Sequence, residues 1–228
     1  MYLILCAMKE EVSEIIKKLN VAEKYSFFGM EFFRGILCKQ EVVVGMTGVG
    51  KVMTAIVTQK LIETFAPDKI IFAGIAGCLG NNIDIGDIVI STDTMQHDMD
   101  ASALGFKIGE IPYTGIRIIA ADPEMINAAK SFKTDNCKII CGRILTGDRF
   151  ISSSAPDERI FLAELGGVAV EMEGAAAALA AKMNNIPFLI IRVISDKSDG
   201  KATSDFKSFL KKSSTLIADM VLHIVKSF

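Results

Sequence analysis

Carboxylates stand where apolar runs end at three places in this sequence: Ala7-Met8-Lys9-Glu10-Glu11, Val170-Glu171-Met172-Glu173-Gly174 and Arg192-Val193-Ile194-Ser195-Asp196. Runs of this kind form buried strands, whose ends deliver side chains to a crevice. A carboxylate beside that much apolar surface is costly unless it is paired or engaged in acid–base work. Three such sites in 228 residues point to an enzyme that moves protons around a neutral substrate, with no metal and no bound cofactor. Each site also has a plainer reading. Glu11 alone fits a solvated first-turn residue favoured by the helix dipole. Asp196 alone fits a helix cap, or a partner of Arg192 or Lys197. Glu171 and Glu173, at what reads as the end of a strand, are expected to point to opposite sides, so that at most one faces a given pocket.

Other motifs carry less. Gly45-Met46-Thr47-Gly48-Val49-Gly50-Lys51 follows a strand and opens a helix, as a phosphate-cradling turn does. Val52 then stands where a hydroxyl should hold magnesium, which argues for a tight packing turn instead. Gly74-Ile75-Ala76-Gly77 follows an apolar strand. Small residues there either admit a ligand to the backbone or simply make a turn. Phe150-Ile151, after Gly147-Asp148-Arg149, offers an aromatic face and a main-chain edge to a planar ring, or else belongs to the core. His97 with Asp98 and Asp100 has the donors for a metal, but a loop histidine bonded to its neighbours is the commoner outcome. With His97 and His223 the only histidines, a Ser-His-Asp triad is disfavoured. Five cysteines, with no CxxC pair and mostly in apolar runs, suit reduced, buried thiols in the cytoplasm.

The elements that must position these residues alternate. Apolar, β-rich runs occur at 2–7, 31–38, 41–46, 69–73, 86–91, 139–145 and 187–194, and helical periodicity at 9–19, 51–65, 122–132, 156–165, 172–184 and 204–226. Nearly continuous apolar strands between helices predict an α/β fold, mostly parallel and covered on both faces. Phe27 to Met46 has no helical stretch, so hairpins there should make the sheet mixed. Ala175–Ala178 followed by Leu179-Ala180-Ala181 would let a helix lie very close to its neighbours. Segment 92–115 is long and irregular, as functional or interfacial loops are. No repeat or linker interrupts the chain, so residues 1–228 are expected to form one domain. Half the residues are hydrophobic and the mean hydropathy is +0.39, enough for a large core and part of a subunit interface. The apolar opening meets Lys9-Glu10-Glu11 at once and reads as a strand, not a signal peptide. No run reaches the ~18 residues of a membrane span, and a net charge of −2 without a basic cluster argues against nucleic acid.

Taken in order, several of these pieces resemble the 5′-methylthioadenosine/S-adenosylhomocysteine nucleosidases of the nucleoside phosphorylase superfamily. They are Ala7-Met8-Lys9-Glu10-Glu11-Val12, Thr47-Gly48-Val49-Gly50-Lys51-Val52, Gly74-Ile75-Ala76-Gly77, Gly86-Asp87-Ile88-Val89, Thr146-Gly147-Asp148-Arg149-Phe150-Ile151, Val170-Glu171-Met172-Glu173 and Ile194-Ser195-Asp196. The set spans essentially the whole chain. The resemblance implies a three-layer αβα fold with a central mixed, mostly parallel sheet, a homodimer, and irreversible hydrolysis of the N-glycosidic bond of 5′-thio-substituted adenosines in methionine salvage and methyl-cycle detoxification. It makes Glu11 the base that activates water and Asp196 the acid that protonates adenine at N7. Glu173 and Met172 would hold the ribose, the Ile151 main chain would read the adenine edge, and Phe150 would stack on the base with Phe206 beside it. Gly77 and Ser195 would also line the substrate site. Leu104 and Pro112 would complete the partner's site around the 5′-thio group.

The chemistry demands such a set. Breaking the C–N bond leaves an oxocarbenium-like ribosyl centre and a purine too poor to depart as an anion. An acid for the purine, a carboxylate on the sugar hydroxyls and a base for water are therefore needed, each acid–base step contributing on the order of 10²–10⁴ in rate. The family usually has Ser or Thr and a second Gly where this chain has Ile75 and Cys78, which bears on the substrate. A purine nucleoside phosphorylase is the main rival. Related phosphorylases place Arg and Ser where Phe72 and Ile75 stand, and an apolar loop cannot neutralise phosphate. Two further rivals are a nucleosidase for a different adenosine derivative, such as 6-amino-6-deoxyfutalosine, and a catalytically silent nucleoside sensor.

Overall fold

A computed structural model describes residues 1–80, 82–135, 137–151, 156–196 and 206–228; of residues 156 and 206–208 it describes the backbone alone. The chain forms, in order, β1 (Tyr2–Cys6), α1 (Lys9–Lys18), β2 (Asn20–Phe27), β3 (Met30–Leu37), β4 (Gln40–Met46), α2 (Lys51–Phe65), β5 (Lys69–Cys78), β6 (Ile88–Gln96), a 3₁₀ turn (Ser102–Leu104), β7 (Ile119–Ala120), α3 (Pro123–Lys130), β8 (Ile139–Thr146), α4 (Pro156–Glu164), β9 (Gly167–Glu171), α5 (Gly174–Met183), β10 (Phe188–Asp196) and α6 (Phe206–Lys226).

All ten strands belong to one mixed sheet. β4, β1, β5 and β10 run parallel side by side, and so do β6, β8 and β9. Antiparallel pairing of β10 with β6 and of β9 with β5 joins the two groups, so β5, β10, β6, β8 and β9 close into a ring. β2, β3 and β4 form the expected antiparallel hairpins at the other flank. β1 is buried throughout and β10 up to its last residue, as nearly continuous apolar runs require. α1 packs on α6 and α3 also meets α6, while α2 packs on α5, giving a helical layer on each face. Every alanine of α5 is buried, so this helix approaches the strands beneath it with almost no side chain between them.

Local chemistry sets the ends. Asp122 caps α3, its Oδ1 accepting from the Met125 amide at 2.9 Å, with Pro123 in the first turn. Several elements differ from what the sequence predicts. β2 is not foreshadowed; its residues are largely exposed, with Glu23 and Lys24 in the middle, and pairing with β3 rather than burial makes them a strand. β5 continues through Gly74-Ile75-Ala76-Gly77 to Cys78 instead of turning, because β10 pairs with it as far as Gly77 and β9 with Gly77 and Cys78. Residues 92–96, expected in the long loop, extend β6 beside β8. All five cysteines are free thiols, but Cys141 is exposed on β8. Among the described residues no helix is long and apolar enough to cross a membrane.

Candidate active site

The strands deposit their carboxyl ends around a cavity of about 200 Å³. Its wall includes Ala7, Met8 and Glu11 from the β1–α1 junction, Ile75 and Gly77 from β5, Phe150 and Ile151 after β8, Glu171, Met172 and Glu173 after β9, and Ser195 and Asp196 from β10. Thus Glu11, Glu173 and Asp196, far apart in sequence, share one space.

Glu11 lies in the first turn of α1, but it is buried and not solvated. One oxygen, Oε2, accepts from the amides of Ala7 (3.0 Å) and Met8 (2.9 Å), and Oε1 accepts from Ile75 at 2.9 Å. These bonds hold the end of β1, the start of α1 and β5 together. Burial raises the proton affinity of Glu11 above the usual carboxylate range, although Arg192 and the three amides act the other way.

Glu171 and Glu173 do not point to opposite sides as expected; positions two apart share a face in a strand. β9 stops at Glu171, and Glu173 takes the cap position of α5, so both line the same cavity. Glu171 turns back onto the backbone, its oxygens accepting from Glu173 N at 3.0 Å and Gly174 N at 2.7 Å, and from the Thr146 hydroxyl. It also accepts from Arg192 Nη2. Glu173 Oε1 accepts from Gly50 N at 2.9 Å, and its Oε2 lies 3.9 Å from Arg192 Nη2. Burial, and then the charge of Glu171, push the Glu173 carboxyl up to about 7.

Arg192 is the residue whose role sequence reasoning misses, since it enters there only as a partner for Asp196. It sits in the middle of β10, among buried apolar residues, 1% exposed, with its guanidinium carbon 4.8 Å from the centre of the Phe72 ring. Burial alone would weaken its hold on a proton; Glu171, Glu173 and Glu11 reverse that. An arginine inside an otherwise unbroken run of buried apolar residues was the available signal, since such a charge must have carboxylate partners.

Ser195 and Asp196 are consecutive, yet both line the cavity. The pairing of β10 with β5 slips between Ile194 and Asp196, and such an irregularity re-aims a side chain that regular alternation would turn away. Ser195 Oγ donates to Asp196 Oδ2 at 2.8 Å. Lys197, the second cation near Asp196 in sequence, lies outside the described residues.

The remaining expected residues are placed unevenly. Ile151 is buried, while Phe150 is 75% exposed at the cavity rim. Leu104 (70% exposed) and Pro112 are not part of this chain's cavity wall. The side chain of Phe206 lies outside the described residues. His97 is buried beneath Gly147, and burial lowers its pKa. Among the described residues no three His, Cys, Asp or Glu side chains gather as metal ligands would. The glycine turn before α2 bonds carboxylates of the protein itself: besides Gly50 to Glu173, Lys51 N donates to Asp148 Oδ1 at 2.8 Å.

Comparison with known proteins agrees with this architecture. The model of the phosphorylase superfamily matches residues 2–226. A Staphylococcus carnosus (strain TM300) protein named 5′-methylthioadenosine/S-adenosylhomocysteine nucleosidase is 37% identical over 227 residues, covering 98% of each chain. The crystal structure of the nucleosidase of that name from Neisseria meningitidis, in complex with methylthio-immucillin-A, aligns with a TM-score of 0.93 at 35% identity, covering 100% of this chain and 99% of that one. Futalosine hydrolase of Helicobacter pylori aligns with a TM-score of 0.91 at 31% identity, covering 100% and 97%.

Proposed function

The chain belongs to the phosphorylase superfamily, and we propose that it hydrolyses the N-glycosidic bond of 5′-methylthioadenosine and S-adenosylhomocysteine, releasing adenine and the 5-thioribose product. The observation that carries this reading is the meeting of Glu11, Glu173 and Asp196 in one cavity beside Phe150, Ile151 and Met172.

In this mechanism the purine lies against Phe150, with its edge toward the Ile151 main chain, and the ribose hydroxyls bond Glu173 beside Met172. Asp196 delivers a proton to N7 as the C1′–N9 bond breaks, and the bonding pair leaves with the base as neutral adenine. Positive charge grows on the ribosyl ring above Glu11, Glu171 and Glu173, whose fixed carboxylates stabilise it without reorganising. Water adds to C1′ and yields its proton to Glu11. The Glu11 bonds to three amides hold that base in place.

Hydrolysis is favoured over phosphorolysis by the occupants of the donors that phosphate would need. The Ile75 amide bonds Glu11, Gly50 and Lys51 amides bond Glu173 and Asp148, and Arg149 pairs with Glu158. Arg192 keeps Nε and Nη1 unbonded, but it is bound to Glu171 and faces Glu173 and Glu11, which repel an anion. Phe72 and Ile75 add no donor side chain.

Leu104 and Pro112, away from this chain's own cavity, fit a homodimer in which each copy closes its partner's site around the 5′-thio group. The exposed Val49, Val52, Met53 and Ile56 at the start of α2 support such an interface. Free thiols fit a cytoplasmic enzyme. The alternative substrate, 6-amino-6-deoxyfutalosine, draws support from the futalosine hydrolase likeness and from Ile75 on the cavity wall.

Adenine release from the three candidate nucleosides, with and without inorganic phosphate, tests the assignment. Methylthioadenosine and S-adenosylhomocysteine should be cleaved at a rate indifferent to phosphate. A phosphate requirement would restore the phosphorylase, and turnover of the futalosine derivative alone would change the substrate.

A further inference from the structure

The glycine turn before α2 has a place in the fold but no task in the mechanism above. Its lysine closes a ring. Lys51 Nζ donates to Asp98 Oδ1 at 2.6 Å, Asp98 Oδ2 accepts from the Asp148 amide at 2.8 Å, and Asp148 Oδ1 accepts from the Lys51 amide at 2.8 Å. Each residue bonds both of the others. The ring joins the start of α2, the segment after β6 and the loop after β8 that carries Phe150 and Ile151. The Lys51 and Asp98 side chains are 16% and 25% exposed, so water screens the pair less than it would at an open surface. Burial opposes ionisation of Asp98, but Lys51 and the Asp148 amide hold its carboxyl below the usual range. Gly50, with φ +94°, lets Asp148 Oδ1 stand 3.2 Å from where a Cβ would be, and its own amide bonds Glu173.

We propose that Lys51, Asp98 and Asp148 are positioning residues, whose ring sets the base-contacting loop 148–151 at a fixed distance from Glu173. One frame then registers both halves of a nucleoside. Asp148 lies two residues before Phe150, and Gly50 ties the same turn to the ribose-facing carboxylate. A loop released from the ring must be ordered when ligand binds, which weakens binding more than it slows bond cleavage. The identity of the ligand rests on the nucleosidase reading; the tie between loop and helix does not.

Lys51→Met, Asp98→Ala and the double variant test the ring, with Lys51→Arg as the conservative control and thermal melts to verify folding. Three quantities are read: the dissociation constant of adenine, kcat and KM for methylthioadenosine, and amide hydrogen exchange of residues 148–151 without ligand. Each single variant should weaken adenine binding and raise KM about tenfold while kcat falls less than about threefold. The double variant should be no worse than the weaker single one, because one ring is broken only once. Lys51→Arg should restore binding, and exchange at 148–151 should speed up in the broken variants. Unchanged exchange in both single variants overturns the proposal whatever the substrate, and so does a loss of kcat with KM and adenine affinity intact. If the wild-type protein releases no adenine from methylthioadenosine, the nucleosidase reading fails and the exchange measurement still decides the ring.

Discussion

Arg192 and Glu171 form an ion pair sealed beneath the cavity, with side chains 1% and 2% exposed. Glu171 is bound at once to Arg192, to Thr146 and to the first amides of α5, so it locks the guanidinium and the start of that helix in one arrangement. The wall carrying Glu173 depends on this lock.

Glu171→Gln should therefore destabilise the protein by about 3 kcal/mol, because it removes the carboxylate that hydrogen-bonds the buried Arg192 and leaves only Glu173, 3.9 Å away, and Glu11 to face its charge. Denaturant titration measures the loss. Replacing both residues, Glu171→Met with Arg192→Leu, should recover most of that stability and still abolish turnover. Equal stability of the Gln variant and the wild type would show that the pair holds nothing together.

Stability should also depend on the proton of Glu173. Its carboxyl is raised from the ordinary 4.5 to about 7, so the folded protein holds that proton more tightly than the unfolded chain does. The resulting stabilisation is fully present below 4.5 and is lost as pH rises through about 7. Glu11, also raised, acts in the same direction. Glu173→Gln, which cannot ionise, should flatten the decline, as urea midpoints across this window would reveal. A decline of undiminished slope in that variant would remove Glu173 as its source.

Asp196→Asn should fold normally, whereas Glu11→Gln should lose some stability, because its NH2 must face amide donors that a carboxylate oxygen now accepts from. Each should lose on the order of 10²–10⁴ in kcat, the usual worth of a positioned acid or base. Rates of adenine release decide the matter. Near-wild-type turnover in either variant excludes that residue from proton transfer.

Gly74 sits where a β-carbon would stand 2.6 Å from Glu11 Oε1 and 2.7 Å from Arg192 Nη1. Gly74→Ala must therefore push apart two charged groups that the surrounding bonds hold fixed. We expect a cost of about 1–3 kcal/mol and a fall in kcat larger than any rise in KM. An alanine variant with unaltered kinetics would show that the carboxylate has room to move.

Strands that are mostly buried were legible in the sequence, because β1 and the central stretches of β4, β5 and β10 announce themselves as apolar runs. β2 was not, since a flank strand exposing Glu23 and Lys24 carries no such pattern. The carboxylates could be found by their place at the ends of apolar runs. Their directions could be found only in part. Alternation sets residues two apart on one face, so Glu171 and Glu173 share the cavity instead of diverging, even though the chain leaves the strand between them. The same rule would have separated Ser195 from Asp196 had the pairing of β10 not slipped. Arg192 went unassigned because its partners, Glu171 and Phe72, come from other strands, and only the folded sheet brings them within reach.

Around the cavity stand Glu11, Glu171, Glu173 and Asp196, against Arg192, which is bound to Glu171, and Arg149, which is paired with Glu158. A 5′-phosphate brought toward these carboxylates would be tolerated only with Glu11 and Glu173, both already raised by burial, kept protonated, and Glu11 would then be lost as a base. An uncharged thioether meets no such barrier. A hydrolase that severs adenine irreversibly can thus coexist with ATP and AMP without eroding the energy currency around it, and AMP should neither be cleaved nor compete for the site.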